Sequence, residues 1–114
     1  DTIGAMKIRA LCPDATLIYI LPPSWDELKS RLSSTGIYTE EEVNALMEIA
    51  EEEISCANNY DYILVNDTIS NTLSRFAQII HSNRYSRNCM KEFLDSYIDG
   101  EVKPHVQSYK EALL

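Results

Sequence analysis

The residues of this chain best placed for chemistry are Asn66 and Asp67, which directly follow the apolar run DYILV at 61–65. Such a run predicts a buried strand, so the two polar residues lie at its carboxyl end. Open α/β sheets bind their ligands at that edge. The alternative is that the pair only ends the strand and caps the next helix. The sequence leaves both interpretations open.

No other residue offers a comparable catalytic or metal-binding pattern. His81 and His105 have no histidine or cysteine partner at the spacing of metal ligands, so we expect both on the surface and predict no metal site. Ser24 has no nearby base to make it a nucleophile, and its position suits a helix cap. Reduced thiols are expected at the three widely spaced cysteines, Cys12, Cys56 and Cys89.

The composition is that of one small globular domain, with 114 residues of which 45% are hydrophobic and 25% charged. A net charge of −8 argues against nucleic acid and anionic membranes as partners. No apolar run reaches the roughly 20 residues of a membrane span, and we expect a cytoplasmic protein. Because the first residues already resemble the interior of a domain, we expect the chain to be a fragment or a processed or truncated product.

Around these residues the pattern predicts alternating helices and strands. Apolar residues at helical spacing predict a helix over 3–11, and the apolar run at 16–21 predicts a first buried strand. Two prolines end this strand. Ser24 and Glu27 then have the spacing of a capping box that opens a helix. One face of that helix carries Trp25, Leu28 and Leu32.

A longer helix is predicted to run from a second capping box, Thr39 with Glu42, to about Asn58. After the strand at 61–65, a third helix is expected to turn its apolar residues inward. The apolar stripes of these two helices are Val43, Leu46, Met47, Ala50, Ile54 and Ala57, and then Ile69, Leu73, Phe76, Ala77 and Ile80.

Two strands separated by helices predict an α/β fold with a short parallel sheet. Residues 1–84 form the α/β part, and 85–114 form a helical extension with a helix stop at Gly100 and a last helix from Pro104. Two strands leave backbone groups unpaired, so we expect partner strands, an oligomer or a domain swap at the exposed sheet edge. The extension has an amphipathic face made of Met90, Phe93, Leu94, Tyr97 and Ile98.

The order of four segments resembles the carboxyl-terminal half of guanylate kinases, with the match running from Asp1 to about Arg84. These segments are DxxGA at 1–5, CPDA at 12–15, ILPPSWDELKSRL at 20–32 and YDYILVND at 60–67. The PPS block followed by the ND pair is specific as a combination. The resemblance implies a partial P-loop-kinase-type three-layer fold.

The resemblance also implies phosphoryl transfer from ATP to GMP with Mg²⁺. It places Asn66 and Asp67 beside the adenine of ATP, Asp1 among the residues that contact guanine, and Arg31 at the phosphates as a catalytic residue. The pattern of the phosphate-binding loop, G-x-x-x-x-G-K-[ST], does not occur in the 114 residues. We therefore expect this chain alone to be inactive and to bind no nucleotide tightly.

The lid of the family corresponds to about 33–58, where two further phosphate-facing arginines are replaced by Thr35 and Leu46. An acidic lid repels phosphates, although the same glutamates suit a solvated helix face. Three hypotheses follow: an incomplete guanylate kinase, a non-catalytic guanylate kinase-like module that binds a protein, and a truncated assembly piece. Between Leu32 and Ser74 there is no lysine or arginine, and the acidic residues are Glu40, Glu41, Glu42, Glu48, Glu51, Glu52, Glu53, Asp61 and Asp67.

Overall fold

The computed structural model describes residues 1–99 and Leu113, which alternate between helices and two short strands. Two compact units, Asp1–Ala77 and Gln78–Leu114, make up the chain. The helix stop at Gly100 and the last helix from Pro104 lie outside the described residues. The helices are α1 (Thr2–Leu11), α2 (Trp25–Ser34), α3 (Glu40–Ser55), α4 (Ile69–Asn83) and α5 (Arg87–Asp99), and the strands are β1 (Ile18–Leu21) and β2 (Tyr62–Val65).

The two strands pair in parallel, with Ile18 opposite Tyr62 and Leu21 opposite Val65. This confirms the predicted fold class, an α/β arrangement of two short parallel strands with surrounding helices and a helical stretch towards the carboxyl terminus. Because side chains alternate along a strand, each face of the sheet receives two residues from each strand. The carbonyl of Leu17 begins the ladder by accepting the N–H of Tyr62 at 3.1 Å.

Side-chain caps set where α2 and α3 begin. Thr39 and Glu42 form the complete capping box predicted for α3, with bonds of 3.2 Å and 2.8 Å. At α2 the Ser24 hydroxyl accepts the N–H of Glu27 at 3.1 Å, as predicted. The reciprocal bond predicted for the Ser24–Glu27 box is wrong, because the Glu27 carboxylate pairs with the Arg31 guanidinium at 2.9 Å instead.

The core of the described chain is small, with four buried apolar side chains: Leu17, Val43, Ala57 and Leu64. The inward orientation expected for the α4 stripe is wrong for its large residues, since Ile69 is 80% exposed and Leu73 62% exposed. Two four-residue strands present too little sheet to cover a fifteen-residue helix. Large apolar residues of α5 (Phe93, Leu94 and Tyr97) are exposed as well.

A polar joint holds α1 at the amino-terminal ends of the strands. One oxygen of Asp61, Oδ2, accepts hydrogen bonds from the backbone N–H of Leu17 at 2.8 Å and from Arg9 Nη2 at 2.7 Å. Arg9 also donates to the carbonyl of Ala15 at 3.1 Å. The bond from Leu17, followed by that from Arg9, holds the pKa of Asp61 below its ordinary value.

We expect Asp61→Asn to destabilise the fold at neutral pH by about 1 kcal/mol, or a few degrees in Tm, because the joint is partly exposed. A lowered carboxyl pKa stabilises the folded state above the unfolded value of about 4, and this contribution is lost as the pH falls through the lower folded value. The difference between wild type and variant should therefore shrink in acid. Thermal denaturation monitored by circular dichroism between pH 7 and pH 3 measures it.

Asp14→Asn is the matched control for this prediction. Asp14 is exposed, so its substitution removes the same charge without altering the bonds between Asp61, Arg9 and Leu17. Equal Tm changes in the two variants would contradict a specific role for Asp61.

Candidate functional site

The carboxyl ends of β1 and β2 carry the polar pair that follows the second strand. Asn66 extends the ladder, because its backbone N–H donates to the carbonyl of Leu21 at 2.7 Å. Its side-chain Oδ1 accepts a hydrogen bond from Thr72 Oγ1 of α4 at 3.1 Å. Within residues 1–99 the amide Nδ2 of Asn66 makes no hydrogen bond, so this donor is the group that the side chain can offer to a ligand.

Asp67 is held from two sides. Its oxygens pair with both terminal nitrogens of Arg75, Nη1 to Oδ1 at 2.9 Å and Nη2 to Oδ2 at 3.1 Å. The backbone N–H of Thr68 donates to Oδ1 at 2.7 Å. These bonds, that of Arg75 first, hold the pKa of Asp67 below its ordinary value. The Thr68 hydroxyl caps α4, accepting the N–H of Asn71 at 3.2 Å.

Arg31 reaches the same turn from α2. Its Nε donates to Glu27 Oε1 at 2.9 Å, and its Nη2 donates to the carbonyl of Asn66 at 2.9 Å and to that of Asp67 at 3.4 Å. The structure therefore brings together three of the residues singled out from the sequence, namely Arg31, Asn66 and Asp67. In this arrangement the guanidinium joins α2 to the end of β2.

Asp1 belongs to a different part of the molecule. Its Oδ1 accepts the backbone N–H of Gly4 at 2.6 Å, so the side chain caps α1. It also borders an open groove of about 290 Å³ along β1, lined by Ile18, Ile20 and Tyr60 among others. None of its described hydrogen bonds links it with Arg31, Asn66 or Asp67.

Sequence reasoning missed Thr72 and Arg75, which fix Asn66 and Asp67 in place. They stand three residues apart in α4, a spacing that puts both on one helix face. That spacing was the available signal. It is common on helix surfaces, and only the short Asn66–Ile69 connection shows that this face meets the strand end.

The electrostatics of this cluster favour a neutral ligand group over a triphosphate. Arg31 is paired with Glu27 and Arg75 with Asp67, so both guanidinium charges are already balanced. Among residues 1–99, no group of three or more His, Cys, Asp or Glu side chains gathers in one place. As the cluster stands, its guanidinium groups have acidic partners, and the Asn66 Nδ2 is a donor with no described partner.

Comparisons with a family model and with individual known proteins indicate the same family. The family model described as guanylate kinase matches residues 1–83. The chain is similar to the guanylate kinase of Halalkalibacterium halodurans, with 34% identity over 98 residues, 86% of this chain and 48% of that protein. It is also similar to the guanylate kinases of Francisella tularensis (44% identity, 73% of this chain, 44% of that protein) and Thermus thermophilus (37%, 81% and 42%). The chain spans about half the length of the relatives it matches.

We expect Arg75→Met to raise the pKa of Asp67 towards the ordinary carboxyl range, because the guanidinium is the first cause of its depression. A titration of the side-chain carboxyl carbon by NMR measures this pKa. Arg84→Met removes the same charge from an exposed arginine that makes no described ion pair, and it should leave the titration unchanged. A pKa of Asp67 that stays low in Arg75→Met would contradict the assignment.

Proposed function

Because the chain belongs to the guanylate kinase family, we propose that it supplies the carboxyl-terminal half of a domain that transfers a phosphoryl group from ATP to GMP with Mg²⁺. We propose that these 114 residues do not catalyse that transfer alone. The observation that carries the proposal is the family match over residues 1–83 in a chain without the phosphate-binding loop pattern.

Phosphoryl transfer depends on positioning and on cations around the phosphates, for which this chain has few groups. Arg31 is the candidate catalytic arginine, and it donates to Glu27 and to the 66–67 carbonyls. To reach a phosphate it would exchange these partners for the ligand. Thr35 and Leu46, which stand at two arginine positions of the family, offer no replacement charge.

For the nucleotide base, the support comes from the end of β2. Thr72 occupies Oδ1 of Asn66 and leaves the Nδ2 donor, which suits a ring nitrogen of adenine. Asp67 is committed to Arg75 and therefore acts through the backbone of the turn rather than through a free carboxylate. Asp1 is the candidate guanine contact, and in the structure its Oδ1 accepts the backbone N–H of Gly4.

The edge of β1 that pairs with none of the described residues is the surface through which the rest of such a domain would join. The carbonyls of Leu17 and Leu21 bond to β2, so the backbone groups of Ile18 and Ile20 point to the opposite side. The outer edge of β2 is partly closed, because Arg75 Nη1 donates to the carbonyl of Val65 at 3.0 Å. A completing strand, whether from the same protein or from a partner, is therefore expected at β1.

A non-catalytic, protein-binding guanylate kinase-like module is the second candidate. It is favoured by one observation, the acidic character of 33–58 where the family has arginines. A truncated assembly piece would behave in the same way in a kinase assay.

No helix among the described residues is long and apolar enough to cross a membrane. We propose a cytoplasmic location, supported by the free thiols of Cys12, Cys56 and Cys89.

The 114-residue chain should form no ADP from ATP and GMP in a coupled assay, and calorimetry should detect no tight binding of ATP. The physical reason is the missing cradle of backbone N–H groups around the triphosphate. The Francisella tularensis guanylate kinase is the positive control for the assay. Turnover above a heat-treated sample of the chain would refute the proposal.

Mixing the chain with a recombinant amino-terminal half of the Francisella tularensis enzyme should restore GMP-dependent ADP formation if β1 accepts the missing strand. Ile20→Pro removes one backbone donor at the free edge of β1 and should abolish this effect. Ile63→Pro, at the outer edge of β2, is the matched control. Association without activity would support the joining edge and count against catalytic use of Arg31.

A further inference from the structure

A second cleft lies away from the Asn66–Asp67 turn, between α2 and α3. It has a volume of about 340 Å³ and is lined by Trp25 from α2 and by Met47, Glu48 and Glu51 from α3. The indole of Trp25, 45% exposed, provides an aromatic wall, and the Met47 side chain contributes an apolar surface. The cleft thus combines an accessible ring with two carboxylates.

The charges of this cleft are unbalanced. The ion pairs within residues 1–99 join Arg9 to Asp61, Arg31 to Glu27 and Arg75 to Asp67, and none includes Glu48 or Glu51. The two glutamates stand three residues apart on one helix face, where like charges repel. Lys29, one turn along α2 from Trp25, is exposed, and it neither lines the cleft nor forms an ion pair in the described structure. A cation entering the cleft would relieve this repulsion.

We propose that this cleft, named the Trp25 cleft, binds an arginine side chain of a basic peptide segment on a partner protein. A planar guanidinium stacks on an indole face and can donate to carboxylates with its edge, and it is the residue type that does both together. Met47 offers apolar contact to the methylene stem of such a side chain. The net charge of −8 adds a long-range attraction for a basic partner.

The proposal is independent of kinase activity, because the Trp25 cleft contains none of Arg31, Asn66, Asp67 or Asp1. A chain that is inactive as a kinase can bind the peptide, and an active complemented enzyme can fail to bind it. The two results are therefore read separately.

Trp25 is the only tryptophan of the protein, so its fluorescence reports on the Trp25 cleft directly. The probe is a short synthetic peptide of alternating arginine and glycine, titrated into the 114-residue chain. The neutral control is the same peptide with citrulline in place of arginine, which keeps the shape and removes the charge. We expect a saturable change of emission with the arginine peptide and none with the citrulline peptide.

Matched variants separate the Trp25 cleft from general acidity. Glu48→Gln with Glu51→Gln should weaken binding about five- to tenfold, since two partly exposed ion pairs are lost. Glu41→Gln with Glu52→Gln removes the same charge from the same helix outside the cleft and should change binding less than twofold. Circular dichroism checks that each variant remains folded.

Either of two results would overturn the proposal: equal weakening by the two double variants, or equal titrations by the arginine and citrulline peptides. The peptide comparison uses the unaltered protein, so it decides the question even if a variant does not fold. Lys29→Gln provides a further check, because loss of the nearby positive charge should strengthen binding of the arginine peptide. An unchanged or weaker affinity in that variant would count against the cleft.

Discussion

A parallel pair of four-residue strands can satisfy only part of its own backbone, and the rest of this structure follows from that constraint. Each strand turns half of its N–H and carbonyl groups away from its partner. Among the described residues only four apolar side chains are buried, and the large apolar residues Ile69 and Leu73 at the start of α4 are exposed. The chain belongs to the guanylate kinase family, and many of its large apolar side chains are exposed.

Three arginine side chains hold helices in place beside this small core through hydrogen bonds and ion pairs. Arg9 from α1 bonds at the start of the strands, Arg31 from α2 bonds at their end, and Arg75 from α4 bonds to the last residues of β2. Each guanidinium bonds to a backbone carbonyl as well as a carboxylate, and such forks hold a helix in a fixed position. The consequence for chemistry is direct, because cations used in this way are not available to phosphates without rearrangement.

The sequence predicts the fold better than it predicts the contacts. Strand and helix positions follow from hydrophobic periodicity, and the Thr39–Glu42 box follows from local spacing. The prediction that the Glu27 carboxylate would bond back to the cap residue Ser24 was wrong, because Arg31, one turn away, binds this carboxylate. The prediction that Ile69 and Leu73 are buried was wrong, because periodicity shows which face of a helix is apolar but not whether another element covers that face. Arg75 could not be assigned, because its partner Asp67 lies across a turn.

The bond between Arg75 Nη1 and the carbonyl of Val65 also removes one free acceptor from the outer edge of β2. Fibrils grow when each subunit offers a receptive edge on both sides of its sheet, so that pairing repeats without end. Among the described residues the β1 edge is unpaired at Ile18 and Ile20, whereas at the β2 edge an arginine already occupies the last carbonyl. The β2 edge therefore offers a further strand fewer free acceptors than the β1 edge does, so the two edges of this sheet are not equivalent for pairing between copies.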